Sequence, residues 1–97
     1  MSVHPQNPQL PFMIAKSYTQ MKQYEEAEPH FARVLKLDPS RSSHHLELAG
    51  NLELQHRYDD AITVLKKGIK YLSEHGSGAA DLRGYLDYLE NKGYLKQ

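Results

Sequence analysis

Residues 23–34 read QYEEAEPHFARV, and residues 57–68 read RYDDAITVLKKG. Each segment has a tyrosine, two acidic residues and an alanine in the same order, followed by a bulky apolar residue. Tyr24 and Tyr58 are 34 residues apart, and the same separation holds for Ala27 and Ala61 and for Phe31 and Leu65. A fixed period of about 34 residues is typical of proteins in which one supersecondary unit stacks on the next. We therefore expect a repeat architecture.

Composition and charge narrow the function classes. The 97 residues carry 12 Lys and Arg against 12 Asp and Glu, so electrostatics give no reason to expect nucleic acid or a membrane as partner. The absence of cysteine excludes disulfides, thiolate zinc sites and cysteine nucleophiles. No apolar run reaches the roughly 18 residues of a membrane span, and the first residues lack the apolar core of a signal peptide. We predict a soluble, cytoplasmic protein.

Apolar residues recur at helical spacing in five segments, which predicts an all-α chain. The expected helices run from residue 8 or 11 to 21, and over residues 25–38, 42–55, 59–75 and 79–91. Asn7 is a candidate cap for the first helix, and Ser42 or Ser43 for the third. The paired acids of the opening segments suit the first turns of the second and fourth helices, where the helix dipole favours negative charge.

Proline and glycine interrupt these patterns. Pro29 would remove one backbone hydrogen bond from the second helix. Gly50, Gly68 and Gly84 lie inside predicted helices, where glycine is less favourable than alanine by about 1 kcal/mol. We expect all three glycines to mark places where helices approach closely.

We predict one domain over residues 10–92, with a flexible lead-in over residues 1–9 and a tail over residues 93–97. Its expected parts are hairpins over residues 10–38 and 42–75 and a capping helix over residues 79–92. The last helix suits a cap because its charged residues lie off its apolar stripe.

Residues 8–41 and 42–75 align without gaps, and their shared pattern resembles the tetratricopeptide repeat. Residues of matching type carry the resemblance: Ile14, Ala15, Tyr18, Ala27, Phe31 and Pro39 in the first unit, and Leu48, Ala49, Leu52, Ala61, Leu65 and Gly68 in the second. The resemblance implies a right-handed superhelical stack of antiparallel helical hairpins, with two repeats and a C-terminal capping helix.

The resemblance also implies a concave groove, lined by the first helix of each unit, that holds an extended or helical peptide. The matching positions in this chain are Gln9, Phe12, Lys16, Gln20, Ser43, Leu46, Gly50, Glu53, Ala80, Gly84 and Asp87. We therefore expect a non-catalytic protein–protein interaction module that binds a peptide segment of a partner. The alternative is a self-associating scaffold, or a fragment of a longer repeat array, with no peptide ligand of its own. Phe12 and Leu46 could equally serve the core.

Other kinds of site are poorly supported by the sequence. No two of the six histidines are spaced i, i+4, so we expect surface histidines and neither a metal nor a cofactor. No serine lies in a recognisable nucleophile–base arrangement, which argues against an enzyme. Lys66, Lys67 and Lys70 are expected to form a solvated helix face rather than a nucleic-acid contact.

Overall fold

A computed structural model of the chain describes residues 7–91. Its helices are α1 (Gln9–Gln20), α2 (Tyr24–Leu37), α3 (Ser42–Leu54), α4 (Tyr58–Glu74) and α5 (Ala80–Asn91). No strand occurs within the described range, so the predicted all-α class is confirmed. The helix ends differ from the expected ones by no more than two residues. None of these helices combines the length and apolar character needed to cross a membrane.

The helices form two hairpins and a final single helix. α1 packs on α2 and α3 packs on α4, while α2 also packs on α3, and α4 on α5. Four alanines at equivalent positions of the two hairpins are fully buried: Ala15, Ala27, Ala49 and Ala61. Their single methyl groups let the helices approach closely, and larger side chains such as Phe31 and Leu65 fill the remaining core. The predicted stack of helical hairpins is thus confirmed.

The turns after α1, α3 and α4 share one backbone geometry. Lys22, His56 and Gly76 each adopt a positive φ, at 61°, 62° and 77°. At all three turns the next backbone N–H bonds back five residues, as from Gln23 to the Tyr18 carbonyl at 2.9 Å. This hydrogen-bond pattern is the Schellman motif, which satisfies carbonyls at a helix end and favours glycine at the left-handed residue. Two of the three turns hold that strained position with a side chain larger than glycine.

The helix starts differ in how they are capped. Asn7 Oδ1 accepts a hydrogen bond from the Gln9 backbone N–H at 2.9 Å, as expected for a cap of α1. The expectation for α3 was wrong, because its N-cap residue is Arg41. The Ser42 hydroxyl instead donates to Asp81 Oδ2 at 2.7 Å and so connects α3 to the first turn of α5.

Pro29 lies inside α2 and faces solvent. The helix continues through it, although the proline ring provides no N–H for the carbonyl one turn earlier. Solvent exposure on this side lets water hydrogen-bond to that carbonyl.

Two adjacent histidines in the first turn of α3 hold the loop between the hairpins. His44 Nδ1 lies 2.8 Å from the Asp38 carbonyl, and His45 Nε2 lies 2.8 Å from the Pro39 carbonyl. His45 is buried, so the expectation that the histidines lie at the surface was wrong for this residue. A nitrogen that bonds to a carbonyl must carry its proton, which fixes the Nε2–H tautomer of a neutral His45.

A second polar network joins the hairpins near the other end of α3. The buried Asn51 donates through Nδ2 to the Tyr24 carbonyl at 2.8 Å, and its Oδ1 accepts from Gln55 Nε2 at 2.7 Å. Glu28 Oε1 then accepts from Arg57 Nη1 at 2.6 Å. These bonds fix the start of α2 against the end of α3 and the start of α4.

Only one of the three helical glycines shows the close approach that the sequence suggested. A Cβ at Gly68 would lie 2.6 Å from both His45 Nδ1 and Leu82 Cδ2. A Cβ at Gly50 would meet only the Tyr85 hydroxyl, at an ordinary 3.9 Å, and one at Gly84 would have no neighbour within 4 Å. The packing explanation therefore holds for Gly68 and was wrong for Gly50 and Gly84.

Helix α5 covers the end of the second hairpin. Its Leu82 and Leu89 side chains are fully buried against the hairpin, whereas its charged residues at 81, 83, 87 and 90 are exposed. This distribution fits the predicted cap. Residue 92, the tail over residues 93–97 and most of the lead-in fall outside the described residues, so the domain limits stay a prediction.

We predict that Gly68→Ala destabilises the fold by about 1 kcal/mol, because overpacking outweighs the gain in helix propensity. Gly84→Ala is the matched control and should stabilise by about 0.5–1 kcal/mol, since its new methyl group meets open space. Urea unfolding of both variants measures the two free energies. A Gly68→Ala protein at least as stable as the parent would contradict the close contact.

We also predict that Lys22→Gly stabilises the protein by about 0.5–1 kcal/mol, because relief of the left-handed strain exceeds the added entropy of the unfolded chain. Lys22→Ala removes the same side chain but keeps the strain, and should bring no such gain. Thermal and urea unfolding compare the two variants. Equal stabilities for Gly and Ala at this position would show that the turn is not strained.

Candidate functional site

The candidate site is a groove between the first helices of the stack, α1, α3 and α5. Its central pocket has a volume of about 430 Å³. The pocket is lined by side chains from all three helices and by Phe31: Thr19, Leu46, Glu47, Gly50, Asn51, Glu53, Leu54 and Tyr85. We call it the central pocket below.

A second pocket of about 460 Å³ adjoins it toward the start of α1. We call this the N-terminal pocket; the lining comes from α1, α3 and the loop between the hairpins: Asn7, Pro8, Gln9, Phe12, Asp38, Arg41, Ser43, His44 and Glu47. Glu47 belongs to both linings. The two pockets therefore form one continuous surface.

An ion pair crosses the groove where the pockets meet. Lys16 Nζ on α1 lies 3.6 Å from Glu47 Oε1 on α3, and both side chains are partly exposed. The same ammonium lies 5.8 Å from the centre of the Phe12 ring, within range of a cation–π contact. Phe12 in turn meets Phe31 edge-on, with ring centres 6.4 Å apart. Phe12 thus joins the core and also lines the N-terminal pocket.

The central pocket combines apolar surface with an acidic group. Leu54 is 49% exposed, and Leu46 is half-buried beside it in the lining. The Tyr85 hydroxyl donates a hydrogen bond to Glu53 Oε1 and so fixes the carboxylate at the edge of α3. A carboxylate has about four acceptor positions, so Glu53 can accept further bonds from a ligand. Gly50 leaves room for a ligand backbone between these side chains.

The predicted groove residues fall into separate groups. Gln9, Phe12 and Ser43 line the N-terminal pocket, and Leu46, Gly50 and Glu53 line the central pocket, with Lys16 in the ion pair between them. Within residues 7–91, the remaining expected positions lie outside both linings: Gln20, Ala80, Gly84 and Asp87. Asp87 instead lines a shallow pocket of about 340 Å³ between α4 and α5.

The sequence prediction missed several residues of the pocket linings, among them Thr19, Leu54 and Tyr85. Thr19 lies one repeat period before Glu53, so the register of the repeat already indicated Thr19 rather than its neighbour Gln20. By helical spacing Tyr85 falls on the apolar stripe of α5, yet its ring is only half-buried and its hydroxyl reaches Glu53. A tyrosine at the edge of a helix stripe is the signal that could have found it.

The N-terminal pocket contains a carboxylate with a perturbed affinity for protons. The Ser40 hydroxyl donates to Asp38 Oδ1 at 2.7 Å, and this bond is the main reason that the pKa of Asp38 lies below its ordinary value. Partial burial opposes the shift, whereas the nearby His44 and Arg41 lower the pKa further. Asp38 therefore contributes a negative charge to the N-terminal pocket at neutral pH.

The groove is suited to binding. Among the described residues, no group of three or more His, Asp or Glu side chains is placed to hold a metal ion. The polar atoms of the groove are hydrogen-bond acceptors and donors fixed at the edges of apolar surface. In ligand sites, such a combination orients the ligand and provides contact area for it.

We predict that Ser40→Ala raises the pKa of Asp38 toward its ordinary value, whereas Ser43→Ala in the same pocket leaves it unchanged. Because the pKa is lowered in the folded state, the hydrogen bond stabilises the fold above the unfolded pKa, and this stabilisation disappears as the pH falls through the folded pKa. The stability difference between parent and Ser40→Ala should thus be below about 1 kcal/mol at pH 7 and vanish in acid. NMR titration of the Asp38 carboxyl checks the shift, and an unchanged pKa in Ser40→Ala would contradict it.

Comparison with known protein families supports the repeat architecture. A family model described as tetratricopeptide repeat matches residues 18–83, more than half of the chain. No curated protein matches the chain. The matched span includes the second helix of the first hairpin, the whole second hairpin and the start of α5. Domains of this family generally bind other proteins. The chain belongs to the tetratricopeptide repeat family.

Proposed function

We propose that this protein is a non-catalytic interaction module that holds a peptide segment of a partner protein in the groove between α1, α3 and α5. The observation that carries the proposal is the central pocket, where partly exposed Leu46, Leu54 and Tyr85 adjoin the fixed carboxylate of Glu53. Exposed apolar side chains in a concave site contribute most of their stabilisation only when a ligand covers them.

The charges of the groove favour a basic ligand. Of the two carboxylates in the central pocket, Glu47 is paired with Lys16, whereas Glu53 has a neutral donor in Tyr85. The local charge is therefore negative, although the chain as a whole is neutral. We expect a peptide with a Lys or Arg that reaches Glu53, next to an aliphatic residue that covers Leu46 and Leu54.

The size of the groove limits the affinity. Two hairpins and a cap offer pockets of about 430 and 460 Å³, enough for a few side chains of a ligand. Ordering a flexible peptide opposes the gain from these few contacts. We expect weak binding by this domain alone, with dissociation constants in the micromolar range, on the order of 10 μM.

An array of short random peptides, probed with the labelled full chain, tests the proposal. We expect enrichment of peptides with Lys or Arg beside an aliphatic residue, and fluorescence anisotropy then gives the affinity of a selected peptide. Gly50→Leu should weaken it at least about tenfold, because its side chain fills the central pocket, and Glu53→Gln should weaken a basic peptide by about five- to tenfold.

Gly84→Leu is the matched control, since it places the same side chain on an exposed position of α5 outside both pockets. It should bind the selected peptide like the parent. Equal affinities for the Gly50→Leu and Gly84→Leu proteins, with both folded by circular dichroism, would disprove binding in the central pocket.

A further inference from the structure

The outer face of α1, together with the C-cap residue Met21, carries an apolar stripe that the groove does not use. Leu10 is 45% exposed, Met13 55%, Ile14 43% and Met21 57%. At 100° per residue these four side chains fall within about 100° of one another around the helix axis. Lys16, the single charged residue of α1 (Gln9–Gln20), pairs with Glu47 on the groove side instead. The stripe is therefore continuous and uncharged.

The internal repeat shows what this face is equivalent to. Ile14 lies one repeat period before Leu48, and the two occupy matching positions of α1 and α3. Leu48 is only 8% exposed, since α3 packs between the first hairpin and the rest of the stack. α1 packs mainly on α2 and has no helix on its outer side among residues 7–91. The stripe is thus a helix-packing face that no described part of the chain covers.

Within residues 7–91, the opposite end of the stack matches this face poorly for a head-to-tail assembly, although Tyr88 of α5 is exposed there. The exposed side chains of α5 include Asp81, Arg83, Asp87 and Glu90. Packing them on the apolar stripe would remove these charges from water without giving them a partner there, which is unfavourable. The complementary surface in a second copy of the chain is therefore the same stripe, which has no charge to bury.

We propose that α1 of one copy pairs with α1 of a second copy in a symmetric dimer. Such an isologous contact places each residue of the stripe against the stripe of its partner. Ser17 lies within the stripe, between Ile14 and Met21, and its small exposed side chain permits close contact of the two helices.

The exposed area sets the strength of this dimer. Four large side chains at about half exposure present on the order of 400 Å² of apolar surface per copy, a size at which exposed patches commonly mark interaction sites. With its polar rim the whole contact reaches about 1,200 Å², the lower limit of specific interfaces. The dimer is therefore weak, with a dissociation constant on the order of 10–100 μM.

Sedimentation equilibrium of the full chain from about 1 μM to 1 mM tests the proposal. We expect a concentration-dependent change from monomer to dimer. Ile14→Glu and Ile14→Lys should each weaken the dimer at least about tenfold, because a charge is then buried against its own copy. An equimolar mixture of the two variants should restore it, since opposite charges meet only where α1 faces α1.

Leu54→Glu is the matched control, because it places the same charge on a leucine of similar exposure that lies in the groove. It should dimerise like the parent. A parent chain that stays monomeric over the whole range, or a mixture that fails to restore the dimer while both variants are folded by circular dichroism, would overturn the proposal. Loss of the dimer in Leu54→Glu with retention in Ile14→Glu would overturn it too, and would place the contact in the groove.

Discussion

Close approach of the helices is the constraint on which the rest of the structure depends. Ala15 and Ala49 on the first helices, and Ala27 and Ala61 on the second helices, have no exposed surface. A larger side chain at these positions would move one helix away from its neighbour. The groove lies between α1, α3 and α5, so its width follows from the same helix spacing. Core packing and the width of the groove are consequently set together.

The fold was predictable because the same pattern of packing residues occurs twice in the sequence. The repeat period determined the helices, their order and the hairpin pairs, and matching residue types at the main packing positions left little room for another architecture. The role of His45 was not predictable, because its partner is a backbone carbonyl, which leaves no trace in residue type. The packing role of the helical glycines was ambiguous for a similar reason. Gly68 packs closely against two other helices, whereas a Cβ at Gly84 would have no neighbour within 4 Å. No local sequence pattern distinguishes the two positions.

The site was predictable as far as the repeat register extends. Phe12, Leu46 and Glu53 follow from positions in the first helix of each unit, and they line the two pockets. Tyr85 did not follow, because helical spacing places it on the apolar stripe of α5 but does not identify the partner of its hydroxyl. Its bond to Glu53 joins residues 32 positions apart and depends on how α5 packs against α3.

The ion pair between Lys16 and Glu47 joins the first hairpin to the second across the groove, where the two pockets meet. A chain that occupies both pockets must cross this pair and touch both hairpins at once. A ligand that paired with either charge would break this connection between the hairpins and replace it with its own contacts. A ligand along the inner side of the stack would therefore favour one relative position of the two hairpins over others.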